Sequence, residues 1–123
     1  MMTKANERET LKIENMSGGA GYILKEVLLG KEEMGEYCKL FGQVTLKPGC
    51  EIGYHEHHGE TETYYIVKGS GVYTDNGEKY PVETGDVTFC KDGSGHGLLN
   101  TGDEDMVIIA LILFSRSRTV VAN

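Results

Sequence analysis

Gly49-Cys50-Glu51-Ile52-Gly53-Tyr54-His55-Glu56-His57-His58-Gly59-Glu60-Thr61-Glu62-Thr63-Tyr64-Tyr65-Ile66-Val67-Lys68-Gly69 is the stretch whose reading decides the fold. His55 and His57 stand two apart, so on a strand both imidazoles face the same side. Four residues then make a short bend before Glu62. Tyr64-Tyr65-Ile66-Val67 is aromatic and β-branched and reads as the next strand. Two histidines and a carboxylate delivered by neighbouring strands form a metal-ligand set.

A second stretch, Gly85 to Asn100, brings one more histidine, His96, at the start of a further strand. On these residues the chain resembles the cupin superfamily, in particular its small single-domain bacterial members. The first cupin motif runs Gly, five residues, His-x-His, three or four residues, Glu, six residues, Gly. Gly49, His55, His57, Glu62 and Gly69 match it throughout. The second runs Gly, five residues, Pro-x-Gly, two residues, His, three residues, Asn. Gly85, Gly93, His96 and Asn100 match, with Lys91 in place of the proline. The resemblance implies an all-β, cupin-type barrel, a double-stranded β-helix of the jelly-roll kind. It also implies one divalent transition metal per chain on His55, His57, Glu62 and His96. Imidazole suits iron, manganese, nickel, copper or zinc, and an octahedral ion would keep two positions for a ligand. The alternative is a barrel that keeps these residues without using a metal.

Away from the motifs, short strands alternate with glycine-rich turns and no segment holds helical periodicity, which by itself indicates a sandwich or barrel. Residues 1–123 read as one domain with its core over about 20–115. Expected strands are Thr10–Ile13, Tyr22–Leu29, Tyr37–Leu46, the flanks of Asp75-Asn76-Gly77, Val87–Cys90, His96–Asn100 and Met106–Phe114. Gly30–Gly35 and Pro81–Asp86 read as turns. Ser17–Gly21 reads as a turn or a close approach of two backbones. Met106–Phe114 is almost wholly apolar and is expected to be buried on both faces. The tail from Ser115 is expected to pack on a partner subunit, giving a homodimer.

The net charge of −7 argues against nucleic acid and anionic membrane surfaces as partners, since both need a basic face. Three cysteines, Cys38, Cys50 and Cys90, show no pairing pattern and are read as reduced thiols in a cytoplasmic protein. No apolar run reaches membrane-spanning length and no signal-peptide core precedes the domain.

Within the site, His58 is expected to face away from the ligands. Glu60 is read as a solvated charge, with a pocket general base as the alternative. Tyr64 and Ile66 share the face of Glu62 and line the cavity; Tyr64 either packs or hydrogen-bonds a ligand. Asn100 is read as ordering a turn. The resemblance implies chemistry on a small oxygenated substrate, dioxygenase-like first and decarboxylase- or isomerase-like second. The alternative is a non-catalytic module that binds a small carboxylate or sugar through the same metal. The Gly18-Gly19-Ala20-Gly21 run is similar to small cupins that resemble oxalate decarboxylases.

Overall fold

Alternation of apolar and polar residues, cut by glycine turns, sets out the strands. The structure, a computed structural model, describes residues 1–115. Its strands are β1 (Leu11–Glu14), β2 (Tyr22–Val27), β3 (Cys38–Leu46), β4 (Glu51–Glu56), β5 (Glu60–Lys68), β6 (Ser70–Asp75), β7 (Glu78–Glu83), β8 (Val87–Cys90), β9 (Gly95–Asn100) and β10 (Met106–Phe114). They form a six-stranded sheet, β1-β2-β3-β10-β5-β8, and a four-stranded sheet, β4-β9-β6-β7, with every pair antiparallel. The apolar core lies between them. Ile23, Val44, Leu46, Ile66 and Ile108 come from one sheet, and Ile52, Tyr73 and Leu98 from the other. No helix among the described residues is long and apolar enough to cross a membrane.

Local chemistry accounts for the turns. Asn76 and Gly77 both take positive φ, 49° and 95°, as a two-residue hairpin between β6 and β7 demands. The run Ser17–Gly21 is a close approach of two backbones. A Cβ on Gly53 would run into the Ser17 carbonyl, and one on Gly19 into the carbonyl of Glu51. Glycine at both crossings lets the segment before β2 lie against β4, beside the histidines. Asn100 ties the chain around the end of β9: its Nδ2 donates to the carbonyls of Leu46 and Glu104, both at 2.8 Å, and its Oδ1 accepts from Gly102 N–H. It orders a turn, as expected.

Three readings are corrected. Pro81 lies within β7 and not in a turn. β7 is an edge strand, where a residue without an N–H leaves no ladder bond unmade. The turn Gly30–Gly35 holds a one-turn helix, α1 (Lys31–Met34), with Glu33 accepting from Gly30 N–H. Finally, β10 is not buried on both faces. Met106, Ile108, Ala110 and Ile112 point into the core, while Val107, Ile109 and Leu111 are half-buried and Leu113 and Phe114 are exposed. Its second face is the outer wall of the sheet. The expected packing of the tail beyond Ser115 lies outside the described residues.

Candidate metal centre

The ladder between β4 and β9 sets His55 directly opposite His96. A register shift between Ile52 and His55 turns the end of β4 inward, so His57, one residue beyond the strand, still reaches the same point. Glu62 enters from β5, across the core on the other sheet. The four side chains converge. His57 Nε2 lies 3.1 Å from His55 Nε2, 3.0 Å from His96 Nε2 and 3.0 Å from Glu62 Oε1. His96 Nε2 lies 3.1 Å from His55 Nε2 and 2.9 Å from Glu62 Oε1, and His55 Nε2 lies 3.5 Å from that oxygen. His96 is fully buried, Glu62 and His57 nearly so, and His55 partly open to the cavity.

Each ring is held from behind. His55 Nδ1 donates to the Gly53 carbonyl at 2.8 Å and His57 Nδ1 to Glu60 Oε2 at 2.7 Å; both acceptors lack a proton to give. His96 Nδ1 faces the Tyr73 hydroxyl at 2.9 Å. A proton on the outer nitrogen leaves Nε2 of a neutral ring as a lone pair, so neutral His55 and His57 are set in the metal-ligating tautomer, and His55 donates to Glu62 from Nε2 only when both its nitrogens are protonated. Tyr64 stacks on His96, ring centroids 4.8 Å apart and planes within 13°.

The electrostatics suit a cation. Burial alone favours a neutral Glu62 carboxyl, but hydrogen bonds from His55 and His96 outweigh it and hold the group down at about 2. It is ionised at neutral pH. Burial also disfavours a charged His55, yet Glu62 and the Gly53 carbonyl raise its pKa. Burial and the two neighbouring imidazoles win at His96, which is lowered. Burial keeps Tyr64 a phenol well past its ordinary range and pushes Cys90 up to about 11, so no thiolate faces the site.

Donor chemistry and spacing fit a divalent transition ion. The six separations, 2.9 to 3.5 Å, enclose a point roughly 1.9 Å from each atom, close to the roughly 2.0–2.1 Å of a metal–imidazole bond.

The sequence reading placed these four residues together, and they are together. His58 is exposed beyond β4 and turned away, as expected. Glu60 is corrected. It is 8% exposed, not a solvated charge, because its other oxygen takes an ion pair from Lys39 Nζ at 2.9 Å. Lys39 and His57 together hold its carboxyl below the usual range against the cost of burial. Tyr73 and Lys39 were not anticipated. Strand alternation places Tyr73 inward on β6, but nothing in local sequence links Lys39 on β3 to Glu60, 21 residues on. Beside the cluster opens a cavity of about 350 Å³, lined by Tyr64 and apolar residues of β2, β3, β4 and β10 and flanked by Lys25, Lys39 and Glu60.

The chain is similar to known proteins in sequence and fold. The oxalate-binding protein of Thermotoga maritima is 41% identical over 113 residues, which cover 92% of this chain and 93% of that protein. A crystal structure from the same organism, of a predicted oxalate decarboxylase, superposes with a TM-score of 0.90 at 40% identity, over 94% of this chain and all of the other. The 5-nitrosalicylic acid 1,2-dioxygenase of a Bradyrhizobium species is 31% identical over 88 residues, 68% of this chain and 41% of that enzyme. The model of the cupin domain matches residues 42–112, from β3 to within β10 and through all four converging side chains. The chain belongs to the cupin family.

Proposed function

We propose that this cupin takes up one divalent transition metal on His55, His57, Glu62 and His96 and acts on a small carboxylate held against it. The observation that carries the reading is the convergence of three imidazole Nε2 atoms and an ionised carboxylate within 3.5 Å of one another. Bound there, the ion supplies Lewis acidity and, if redox-active, a route to oxidation. The chain's own residues do the rest. Gly53, Glu60 and Tyr73 orient the rings, Tyr64 packs over His96, and the apolar cavity keeps water from competing for the site. The relatives named for oxalate support a small carboxylate as ligand. The dioxygenase relative supports oxidative chemistry over part of its length.

A second reading, binding without turnover, is favoured by one observation. Glu60, the candidate general base, has both oxygens engaged, by His57 and by Lys39. Metal analysis of protein purified without a nickel column tests the common part. About one metal per chain is expected, with sharp loss in His57→Ala and His96→Ala. Full occupancy in both variants sinks the assignment. Carbon dioxide release or dioxygen consumption with oxalate and other small acids then separates enzyme from binding module.

A further inference from the structure

The cavity beside the cluster is larger and more apolar than a two-carbon diacid uses. At about 350 Å³ it holds on the order of ten water-sized groups, at about 30 Å³ each. Away from the cluster its wall is Ile23, Leu40, Val44, Ile52, Ala110 and Ile112. Oxalate, with every carbon in a carboxylate, gains nothing from that wall and gives up hydration to it. An acid with an apolar body buries its carbon against the same surface.

Outside the cluster four charged side chains interrupt the wall: Lys39 and Glu60, which pair with one another, Glu56, which faces His58, and Lys25. The inner face of β2 carries Ile23 and then Lys25, and both line the cavity. Lys39 and Lys47 have carboxylate partners, Glu60 and Asp105. Among the described residues the Lys25 ammonium has neither an ion pair nor a hydrogen bond. In a chain of net charge −7, an unpaired ammonium at a cavity wall is a local anion site. β2 and β5 are separated by β3 and β10, and the ladder register sets Lys25 across from Ile66, four residues along β5 from Glu62, so Lys25 and Glu62 stand on the order of 20 Å apart along the curved sheet.

We propose that the ligand is an acid of about ten to twelve heavy atoms in three parts: an oxygenated head at the cluster, an apolar middle against the wall, and a distal carboxylate on Lys25. Lys25 is the specificity-determining residue. The inference rests on the reading of the cluster as a carboxylate-holding metal centre. Calorimetry with the manganese-loaded full chain tests it, using oxalate, 2-oxoheptanoate and 2-oxoheptanedioate, the last two differing only at the distal end. The diacid is expected to bind at least tenfold tighter than either of the others. Lys25→Met is expected to erase its advantage over the monoacid while leaving metal content and oxalate affinity unchanged. With metal bound, tightest binding of oxalate, or a diacid preference that survives Lys25→Met, overturns this proposal and leaves the metal reading standing. A Lys25-dependent diacid preference in protein that takes up no metal upholds it and removes the metal reading. No uptake of metal and no preference removes both.

Discussion

Glu60 offers the sharpest test of how the site is held. In Glu60→Ala, the His57 Nδ1–H loses its 2.7 Å acceptor in a nearly closed environment. An unpaired buried donor costs about 1–3 kcal/mol. The ring can escape that cost by moving its proton to Nε2, which removes the lone pair facing the cluster. Either route weakens the metal site, and loss of such an outer partner typically lowers affinity about 10–100-fold, or about 1.4–2.8 kcal/mol. The other side of Glu60 contributes little, because Lys39 is half exposed and its ion pair is screened by solvent. Lys39→Met therefore leaves affinity within about threefold of wild type, and Glu60→Gln, which keeps an acceptor without its charge, falls between. Competition against a chelating dye with zinc gives the affinities. Nitrogen chemical shifts of His57 in metal-free protein report the tautomer, which a merely structural role for Glu60 leaves unchanged. Zinc affinity in Glu60→Ala equal to that of Lys39→Met, with an unaltered tautomer, refutes the reasoning.

Two further outcomes concern the barrel. Gly53→Ala forces a methyl into the Ser17 carbonyl and is expected to cost about 3 kcal/mol; an unchanged melting temperature shows that the crossing has room. The outer face of β5 and edge strand β8 exposes Tyr65, Val67, Val87 and Phe89, with Val87 63% exposed. A dimer mass in light scattering at micromolar concentration is expected, reverting to monomer in Phe89→Asp, whereas a monomer mass for the unaltered chain removes the proposed homodimer.

His55, His57 and Glu62 were legible together because they fall within one bend, and His96, far along the chain, was placed with them by the resemblance to the second cupin motif. The turn at Asn76-Gly77 was legible because it too is local. What escaped depends on contacts between segments far apart in sequence. Glu60 sits among polar residues in a bend and reads as solvated; its burial comes from Lys39 on β3, which reaches it past the intervening β10. Pro81 reads as a breaker until β7 is known to be an edge. The apolar run of β10 gives no sign of which face meets the core, because both carry aliphatic side chains. Only pairing with β3 and β5 decides that Ile108 is inside and Ile109 outside.

Acidification acts on the same cluster with a determinate sign. Glu62 ionises at about 2 in the folded chain against an ordinary 4.5. The unfolded chain takes its proton first, so this contribution is present above about 4.5 and is lost as pH falls toward 2. It is worth on the order of 3 kcal/mol. His96 is lowered as well, so it too costs stability on acidification, beginning near its unfolded value of about 6.5. His55 is raised and runs the other way: its contribution is full below about 6.5 and fades as pH rises through its folded value. Metal-free protein therefore softens on the acid side through Glu62 and His96, and near neutrality His55 and His96 partly cancel. A divalent ion needs all three imidazoles without their inner protons and the carboxylate ionised. Its binding must displace the proton that His55 retains, so as pH drops affinity begins to fall above about 6.5, where the raised His55 takes up its proton, and falls further as His96 titrates, by more than one proton per metal in all. At a hundredfold excess over its dissociation constant a ligand adds about 2.7 kcal/mol, on the order of 10 °C in melting temperature for a chain of this size. Zinc is expected to raise the melting temperature by that order at pH 7.5, EDTA to reverse it, and neither to matter much at pH 5. A melting temperature indifferent to both at pH 7.5 means that the four converging side chains hold no metal and that hydrogen bonds alone draw them together.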